Sequence, residues 1–367
     1  MIDACELAPS HIRSIAAYQP GKPTSELARE IGLDPASVIK LASNENPLGA
    51  SPRARAAVER ELAELARYPD GGGFALKQAL AAHYRVEPGR IVLGSGSNDV
   101  LELVAHVFLA PGTSAVYAQH AFAVYPLATQ MAGAHSIAVP ARDFAHDLPG
   151  MAAAVRADTR VLWIANPNNP TGSFAPAQDV RALLERVPRR VIVVLDEAYN
   201  EYLPDALRVD TTRWLGQFPN LVITRTFSKA YGLAALRVGF ALAHPDVADL
   251  MNRVRMPFNV NSAAQAAAVQ ALEDQAFVAR SRAVNDAGMR QLTEAFRGMR
   301  LDYIASLGNF VSVRVGAADA VYRRLLAQGV IVRPIAAYGM PEHLRVTIGL
   351  ESENARFLAA LQTALHA

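Results

Sequence analysis

Short apolar runs alternate with stretches of helical periodicity through the middle of the chain. Most of these runs are rich in Val or Ile. Such alternation is typical of strands that crossover helices bury on both faces, so it predicts an α/β fold with a mainly parallel sheet. The predicted strands are residues 90–93, 114–117, 136–139, 161–165, 191–195 and 221–226.

The two ends of the chain follow different patterns. Proline and polar residues interrupt the first 50 residues, so residues 1–50 are predicted to form an arm that contributes to the small domain. We expect a large domain over residues 51–262 and a small α+β domain over residues 263–367. The further predicted elements are helices at 53–66, 75–84, 263–272 and 317–328 and strands at 310–315, 330–333 and 344–348.

The amino-acid composition excludes several functional classes. The 367 residues carry a formal net charge of +2 without any Lys/Arg-rich block, so nucleic acid is not an expected partner. The single cysteine, Cys5, allows no intramolecular disulfide and fits a reducing, cytoplasmic compartment. No apolar run reaches the ~20 residues that span a bilayer, and the scattered histidines lack metal-ligand spacing. We therefore expect a soluble cytoplasmic protein with neither a membrane partner nor a metal site.

Polar residues follow the first predicted strand. Ligands of open parallel sheets bind at the carboxyl ends of the strands, so the sequence after each strand indicates the site. Gly94-Ser95-Gly96-Ser97-Asn98 leads into a helix, and small residues there let backbone N–H groups close on an anion such as a phosphate. A plain strand-turn-helix with a capping residue is the commoner meaning of such a sequence.

Three asparagines follow the strand at 161–165, in the sequence NPNNPTG at 166–172. A tight double turn would explain the two Asn-Pro pairs. However, any turn former would serve there, and an Asn amide could donate to a ring oxygen or bind a carboxylate.

Asp196 directly ends the apolar strand at 191–195. A carboxylate buried there is costly unless it meets a cation, and a protonated pyridine nitrogen is one such cation. A helix cap or a buried arginine would satisfy Asp196 equally well. Tyr199, three residues later, could point into the same cleft.

Lys229 and Arg237 follow the strand at 221–226 within largely apolar sequence. A desolvated lysine has a lowered pKa and attacks carbonyl groups, which is how Schiff-base lysines work. Arg237 would need an anion, and a phosphate suits its planar donors. Each residue has an alternative explanation. Lys229 could snorkel to solvent from the edge of the core, and Arg237 could pair with an internal acidic residue. All these groups nevertheless fall at strand ends of one domain, which is improbable by coincidence.

These motifs resemble those of the fold-type I pyridoxal-phosphate aminotransferases, and specifically the histidinol-phosphate aminotransferases. The resemblance runs from Tyr18 to Leu350. It is carried by NPNNPTG at 166–172, DEAY at 196–199 and TFSKAYGLAALRVG at 226–239, with KLASNENP at 40–47, RYPD at 67–70, GNFV at 308–311 and GVIVRP at 329–334.

The resemblance implies a seven-stranded, mainly parallel sheet and pyridoxal phosphate as the cofactor, bound as a Schiff base to Lys229. It implies that Asp196 keeps the pyridine nitrogen protonated and that Tyr199 and Asn169 bind the ring oxygen O3′. The residues implied to hold the phosphate are Gly96, Ser97, Asn98, Thr226, Ser228 and Arg237.

The resemblance also implies a homodimer in which Tyr68 reaches the cofactor phosphate of the other subunit. Arg345 would bind the anionic group of the substrate, assisted by Asn169, Arg333 and Tyr18.

Two positions depart from the usual family pattern. Phe122 stands where a tyrosine often stacks on the pyridine ring, and the cradle at 96–99 reads GSND where an acidic pair is more usual.

The implied reaction converts histidinol phosphate and 2-oxoglutarate to imidazole acetol phosphate and glutamate in histidine biosynthesis. An aromatic amino-acid aminotransferase is the first alternative, because both substrates pair a planar ring with an anionic group. A decarboxylase of an amino-acid phosphate is another alternative. A catalytically silent binding module of the same fold is disfavoured, because Lys229, Asp196 and Tyr199 are all present.

Overall fold

The computed structural model describes residues 4–17 and 21–366. Its β-strands are β1 (Ile39–Lys40), β2 (Ile91–Gly94), β3 (Ser114–Ala118), β4 (His135–Val139), β5 (Thr159–Ala165), β6 (Ile192–Asp196), β7 (Leu221–Thr226), β8 (Gly239–Ala243), β9 (Tyr303–Ile304), β10 (Phe310–Arg314), β11 (Val330–Ile331), β12 (Arg333–Pro334) and β13 (His343–Thr347).

The α-helices are α1 (Ser10–Arg13), α2 (Thr24–Ile31), α3 (Pro52–Glu61), α4 (Phe74–Tyr84), α5 (Ser97–Phe108), α6 (Val124–Met131), α7 (Leu148–Ala153), α8 (Ala177–Arg186), α9 (Pro245–Val254), α10 (Ser262–Glu273), α11 (Gln275–Gly298), α12 (Ala318–Ala327) and α13 (Glu351–His366). Short 3-10 helices lie at Ala4–Leu7, Pro35–Ser37, Leu62–Glu64, Pro88–Arg90, Asn200–Tyr202, Thr211–Gly216, Ala234–Leu236 and Ala336–Tyr338. Among the described helices, none is both long and apolar enough to cross a membrane.

The large sheet has the strand order β2-β8-β7-β6-β5-β3-β4. β3 to β7 pair in parallel, and β8 runs antiparallel between β7 and β2. This architecture confirms the predicted α/β class with a mainly parallel seven-stranded sheet. β8, with the sequence GFALA, is absent from the six predicted runs because glycine and alanine give little strand signal.

Two apolar layers bury the two faces of the large sheet. Side chains alternate between faces along each strand, so Val193 and Leu195 join one layer while Val194 joins the other. The layer around Leu195 includes residues of α3, α4, α8 and α10, and the layer around Val194 includes residues of α5, α6 and α9. The carboxyl ends of β5, β6 and β7 therefore lie side by side at one edge.

A four-stranded antiparallel sheet, β12-β13-β10-β9, forms the second unit and packs with α11, α12 and α13. The strand predicted at 330–333 is wrong as a single element. β11 pairs in parallel with β1, whereas β12 pairs with β13. Val332 lies buried between them, so one apolar run serves two sheets.

The predicted domain limits stay predictions. The apolar residues of α10 belong to the core layer of the large sheet, which favours a boundary near Asp274 instead of residue 263. Part of the predicted arm joins the C-terminal unit, because β1 pairs with β11 and the N–H of Thr347 donates to the carbonyl of Leu41.

Candidate active site

A cavity of about 250 Å³ opens at the carboxyl ends of the parallel strands, between the large sheet and the C-terminal unit. We call it the central cavity. Most predicted site residues line it: Ser97, Asn98, Phe122, Asn169, Asp196, Tyr199, Thr226, Ser228, Lys229, Arg237, Arg333 and Arg345. Gly96 does not line it but lies against Arg237, which does. Tyr68 does not line it, and the prediction for Tyr18 lies outside the described residues.

Asp196 ends β6 and is 4% exposed. Its Oδ2 accepts a hydrogen bond of 2.8 Å from the phenol of Tyr125, whose buried ring stacks on Trp163. Burial raises the pKa of Asp196, and the bond from Tyr125 opposes that shift. No ion pair among the described residues involves Asp196. A buried carboxylate at a cavity wall without a cationic partner suits a protonated ring nitrogen.

Lys229 lies in the loop after β7, and its Nζ donates to the carbonyl of Ser43 at 3.2 Å. Burial lowers the pKa of Lys229 to about 8, and the nearby Arg345 adds to this effect. A larger share of the side chain is therefore a neutral amine near pH 7 than the ordinary pKa of 10.5 would allow. Neutral amines attack carbonyl carbons, which is the chemistry predicted for this residue.

Tyr199 faces the cavity with its hydroxyl held by Asn44, whose Nδ2 donates to it at 2.9 Å. Burial raises the pKa of Tyr199 to about 12, so the phenol stays protonated and remains a donor. The backbone N–H of Asn44 donates to the hydroxyl of Thr347 in β13. Asn44 thus ties Tyr199 to the C-terminal unit. It was not among the predicted site residues.

Arg345 and Asn169 meet across the cavity. Arg345 donates to Oδ1 of Asn169 at 2.5 Å and to the carbonyl of Ala42 at 2.7 Å. Because this oxygen is occupied, the amide group that Asn169 can offer to a ligand is its NH₂. Arg333 pairs in register with Arg345, so both guanidinium groups approach the cavity from adjacent strands.

The N-terminus of α5 forms a small cradle with Arg237. Gly96 has a φ of +84°, and a Cβ there would lie 2.3 Å from a guanidinium nitrogen of Arg237. Arg237 donates to the hydroxyl of Ser228 at 3.2 Å, and no described ion pair includes it. Gly96 thus leaves room for the guanidinium of Arg237. Backbone N–H groups, hydroxyls and an arginine are the donor set that binds a phosphate.

Phe122 lines the cavity and packs edge-on against Tyr125, with 5.8 Å between the ring centroids. Tyr68 lies elsewhere on the surface, 83% exposed, and stacks on Phe258. Tyr125 and Asn44 are the residues that sequence reasoning missed. The motif KLASNENP, which contains Asn44, was the available signal for one of them. Within the described residues, no three His, Cys, Asp or Glu side chains cluster as a metal site requires.

Comparison with known proteins agrees with this geometry. The family model described as "Aminotransferase class I and II" matches residues 36–361. The chain is 62% identical over 365 residues to histidinol-phosphate aminotransferase 2 of Nitrosospira multiformis, which covers 99% of this chain and 93% of that protein. It is also 62% identical over 360 residues to histidinol-phosphate aminotransferase 1 of Thiobacillus denitrificans, with 98% and 94% coverage.

Solved structures give the same result. The crystal structure of histidinol-phosphate aminotransferase from Sinorhizobium meliloti in complex with pyridoxal-5′-phosphate has a TM-score of 0.90 and 28% identity, and the match covers 97% of each chain. A mutant aspartate aminotransferase of Thermus thermophilus has a TM-score of 0.83 at 21% identity, with 98% and 99% coverage, and shares the fold. The predicted resemblance and the predicted fold class are thereby confirmed.

Proposed function

We propose, since the chain belongs to the family of class I and II aminotransferases, that it converts histidinol phosphate and 2-oxoglutarate to imidazole acetol phosphate and glutamate. The observation that carries this proposal is the convergence of Lys229, Asp196 and Arg237 on the central cavity. The 62% identity to two relatives named histidinol-phosphate aminotransferase supports the choice of substrate.

The central cavity suits pyridoxal phosphate, which when bound supplies an electron sink for negative charge at the substrate Cα. Asp196 would hold the ring nitrogen protonated, and Phe122 would stack on the ring. Tyr199 and the NH₂ of Asn169 would donate to the ring oxygen. The residues that would hold the phosphate are the cradle residues Gly96, Ser97 and Asn98 together with Thr226, Ser228 and Arg237.

Lys229 has two roles in this proposal. Its amine would hold the cofactor covalently, and in its free form it would accept a proton from the substrate Cα and return it. The lowered pKa suits both roles, because an amine with a pKa of about 8 both accepts and returns a proton near neutral pH.

Arg333 and Arg345 would bind the anionic group of each substrate in turn. Arg345 is 6% exposed, so an oxyanion that reaches it meets little competition from water. Its contact with Asn169 couples the substrate group to the residue that would bind the ring oxygen. Tyr18 would assist from the N-terminal arm.

The exposed apolar side chains near Tyr68 support a homodimer. Leu65, Phe74 and Met256 are each about 70% exposed, and Phe258 lies against Tyr68. Such a patch is suited to burial by a second copy of the chain, from which Tyr68 would reach the partner's phosphate site. Mixing Lys229→Ala and Tyr68→Ala proteins tests this arrangement, because only subunits that share sites would regain activity in the hybrid.

A single-turnover titration tests the substrate. The pyridoxal-phosphate-loaded protein is mixed with histidinol phosphate or with phenylalanine, and the loss of its visible absorption band is followed. We expect histidinol phosphate to react far faster at low concentration. A faster reaction with phenylalanine would identify an aromatic amino-acid aminotransferase and would make Arg345 a carboxylate-binding residue. Absence of a band sensitive to borohydride would identify a silent binding module.

A further inference from the structure

His146 contacts a backbone carbonyl of the site, and it is not among the predicted site residues. It lies in the loop between β4 and α7, and its Nε2 is 2.8 Å from the carbonyl oxygen of Ala165. A carbonyl oxygen only accepts hydrogen bonds, so Nε2 carries the proton and donates it. The other nitrogen, Nδ1, is therefore unprotonated when the ring is neutral.

The surroundings of His146 keep the ring in this form. Nδ1 is buried and has no hydrogen-bond partner among the described residues. Burial lowers the pKa of His146, and only the bond to Ala165 opposes that shift. A second proton would sit at a buried position with no acceptor, which is unfavourable. His146 is thus a neutral, single-donor group directed at one backbone carbonyl.

That carbonyl lies at the entry to the segment that carries Asn169. Ala165 ends β5, lines the central cavity and pairs in register with Asp196. The next N–H, of Asn166, donates to the carbonyl of Asp196 at 2.9 Å. Four residues beyond Ala165, Oδ1 of Asn169 accepts from Arg345. The position of the Ala165 backbone therefore determines where the segment that leads to Asn169 begins.

A second cavity, of about 420 Å³, lies against the same segment. His146, Ser173, Phe174 and Ala175 line it, whereas Ala165 and Asn169 line the central cavity. The segment is buried from Asn166 to Gly172, and further hydrogen bonds hold it, among them the one that Nδ2 of Asn168 donates to the carbonyl of His120 at 2.9 Å. The bond from His146 is one that a single substitution can remove.

We propose that His146 is a positioning residue for Asn169: by donating to the carbonyl of Ala165, it fixes the segment that directs the Asn169 NH₂ at the cofactor's ring oxygen. This inference rests on the proposed function, because that function supplies the ring oxygen. His146 itself touches neither cofactor nor substrate in this scheme.

The experiment compares His146→Phe, which keeps a ring but loses the donor, with His146→Gln, whose amide NH₂ can replace Nε2–H. The apoprotein of each is titrated with pyridoxal phosphate to obtain the dissociation constant. The pH midpoint of the visible band and the thermal unfolding of the apoprotein are also measured. His106→Phe, on the exposed side of α5, is the control for the ring substitution.

We expect His146→Phe to raise the dissociation constant about five- to tenfold, as for the loss of one hydrogen bond at the ring oxygen. The pH midpoint of the band should rise, because a donor to an oxygen anion favours the deprotonated form. His146→Gln should restore both values. If His146→Phe does not fold, His146→Asn gives the same test, because its amide is too short to reach Ala165.

Lower thermal stability of His146→Phe with an unchanged dissociation constant and midpoint would overturn the positioning role. Failure of His146→Gln to restore either value would also overturn it. A wild-type protein that binds no pyridoxal phosphate would instead contradict the proposed function. The two failures are therefore distinguishable in one series of titrations.

Discussion

At the carboxyl ends of β6 and β7, buried charged side chains have different partners on the two faces of the large sheet. On the cavity face, Asp196 is buried with a phenol as its hydrogen-bond donor and has no ion pair among the described residues. On the opposite face, the next residue, Glu197, is equally buried but lies 2.6 Å from the guanidinium of Arg225. Adjacent residues at the end of one strand thus have opposite electrostatic surroundings.

The opposite face satisfies its charges internally. Arg225 also pairs with Glu201 at 3.3 Å, and the hydroxyl of Thr211 donates to Glu197. On the cavity face, Asp196, Lys229 and Arg237 take part in no described ion pair. Charged side chains without an ion pair are available to a ligand, so they mark the face that performs chemistry. Charged side chains that pair with one another mark the face that supports the strand ends.

The largest effect should come from Lys229→Ala. Removing the amine should lower the rate of single-turnover transamination by about 10⁴-fold, since both covalent linkage and proton transfer are lost. Stopped-flow absorbance measures this rate. Lys77→Ala is the control, because burial also lowers the pKa of Lys77, which does not line the cavity. A Lys229→Ala protein with the wild-type rate would disprove the mechanism.

On the opposite face, Arg225→Ala should mainly reduce stability. It leaves Glu197 and Glu201 buried without a cation, which should lower the free energy of unfolding by about 3–5 kcal/mol. Urea unfolding of the apoprotein measures the loss. Arg213→Ala, which removes an exposed partner of Asp210, should change almost nothing. Equal losses of unfolding free energy in the two variants would contradict the inference that internal ion pairs stabilise the opposite face.

Stability should also depend on pH through Lys229. Its pKa in the folded chain is about 8, below the ordinary 10.5, so the unfolded chain keeps a proton that the folded chain releases. Wild-type stability relative to Lys229→Met should therefore rise between pH 8 and 10.5, by at most about 3 kcal/mol. Urea unfolding of both apoproteins across this range measures it. A constant difference would show that the amine is not desolvated.

Tyr125→Phe should have the smallest effect. The variant removes one donor from Asp196, so the free energy of unfolding should fall by about 1 kcal/mol and the affinity for pyridoxal phosphate should change. Denaturation and cofactor titration measure the two quantities. Tyr303→Phe, in the small sheet, should leave the affinity unchanged. An unaltered affinity in Tyr125→Phe would show that the phenol does not tune the carboxylate.

Much of the architecture and most of the site could be predicted from the sequence. The Val-rich runs that became β5, β6 and β7 are buried on both faces, and such strands give an unambiguous apolar signal. Parallel pairing then brings the polar residues after each strand to one edge, and Asn169, Asp196 and Lys229 do line one cavity.

The missed features depend on contacts distant in sequence. Tyr125 lies inside an apolar helix, where nothing marks its hydroxyl as the partner of a carboxylate 71 positions away. Asn44 adopts a φ of +55°, and its contact with Tyr199 spans 155 positions. The split of 330–333 between two sheets has the same origin, because local periodicity does not specify which partner strand an apolar residue joins.

The bond between Asn44 and Thr347 joins residues 303 positions apart, and it has a consequence for biosynthesis. A ribosome must add nearly the whole chain before β1 meets β11 and before Asn44 meets Thr347. At about 5–20 residues per second, this interval lasts tens of seconds. The wall of the central cavity that Arg333 and Arg345 provide is therefore complete only at the end of synthesis.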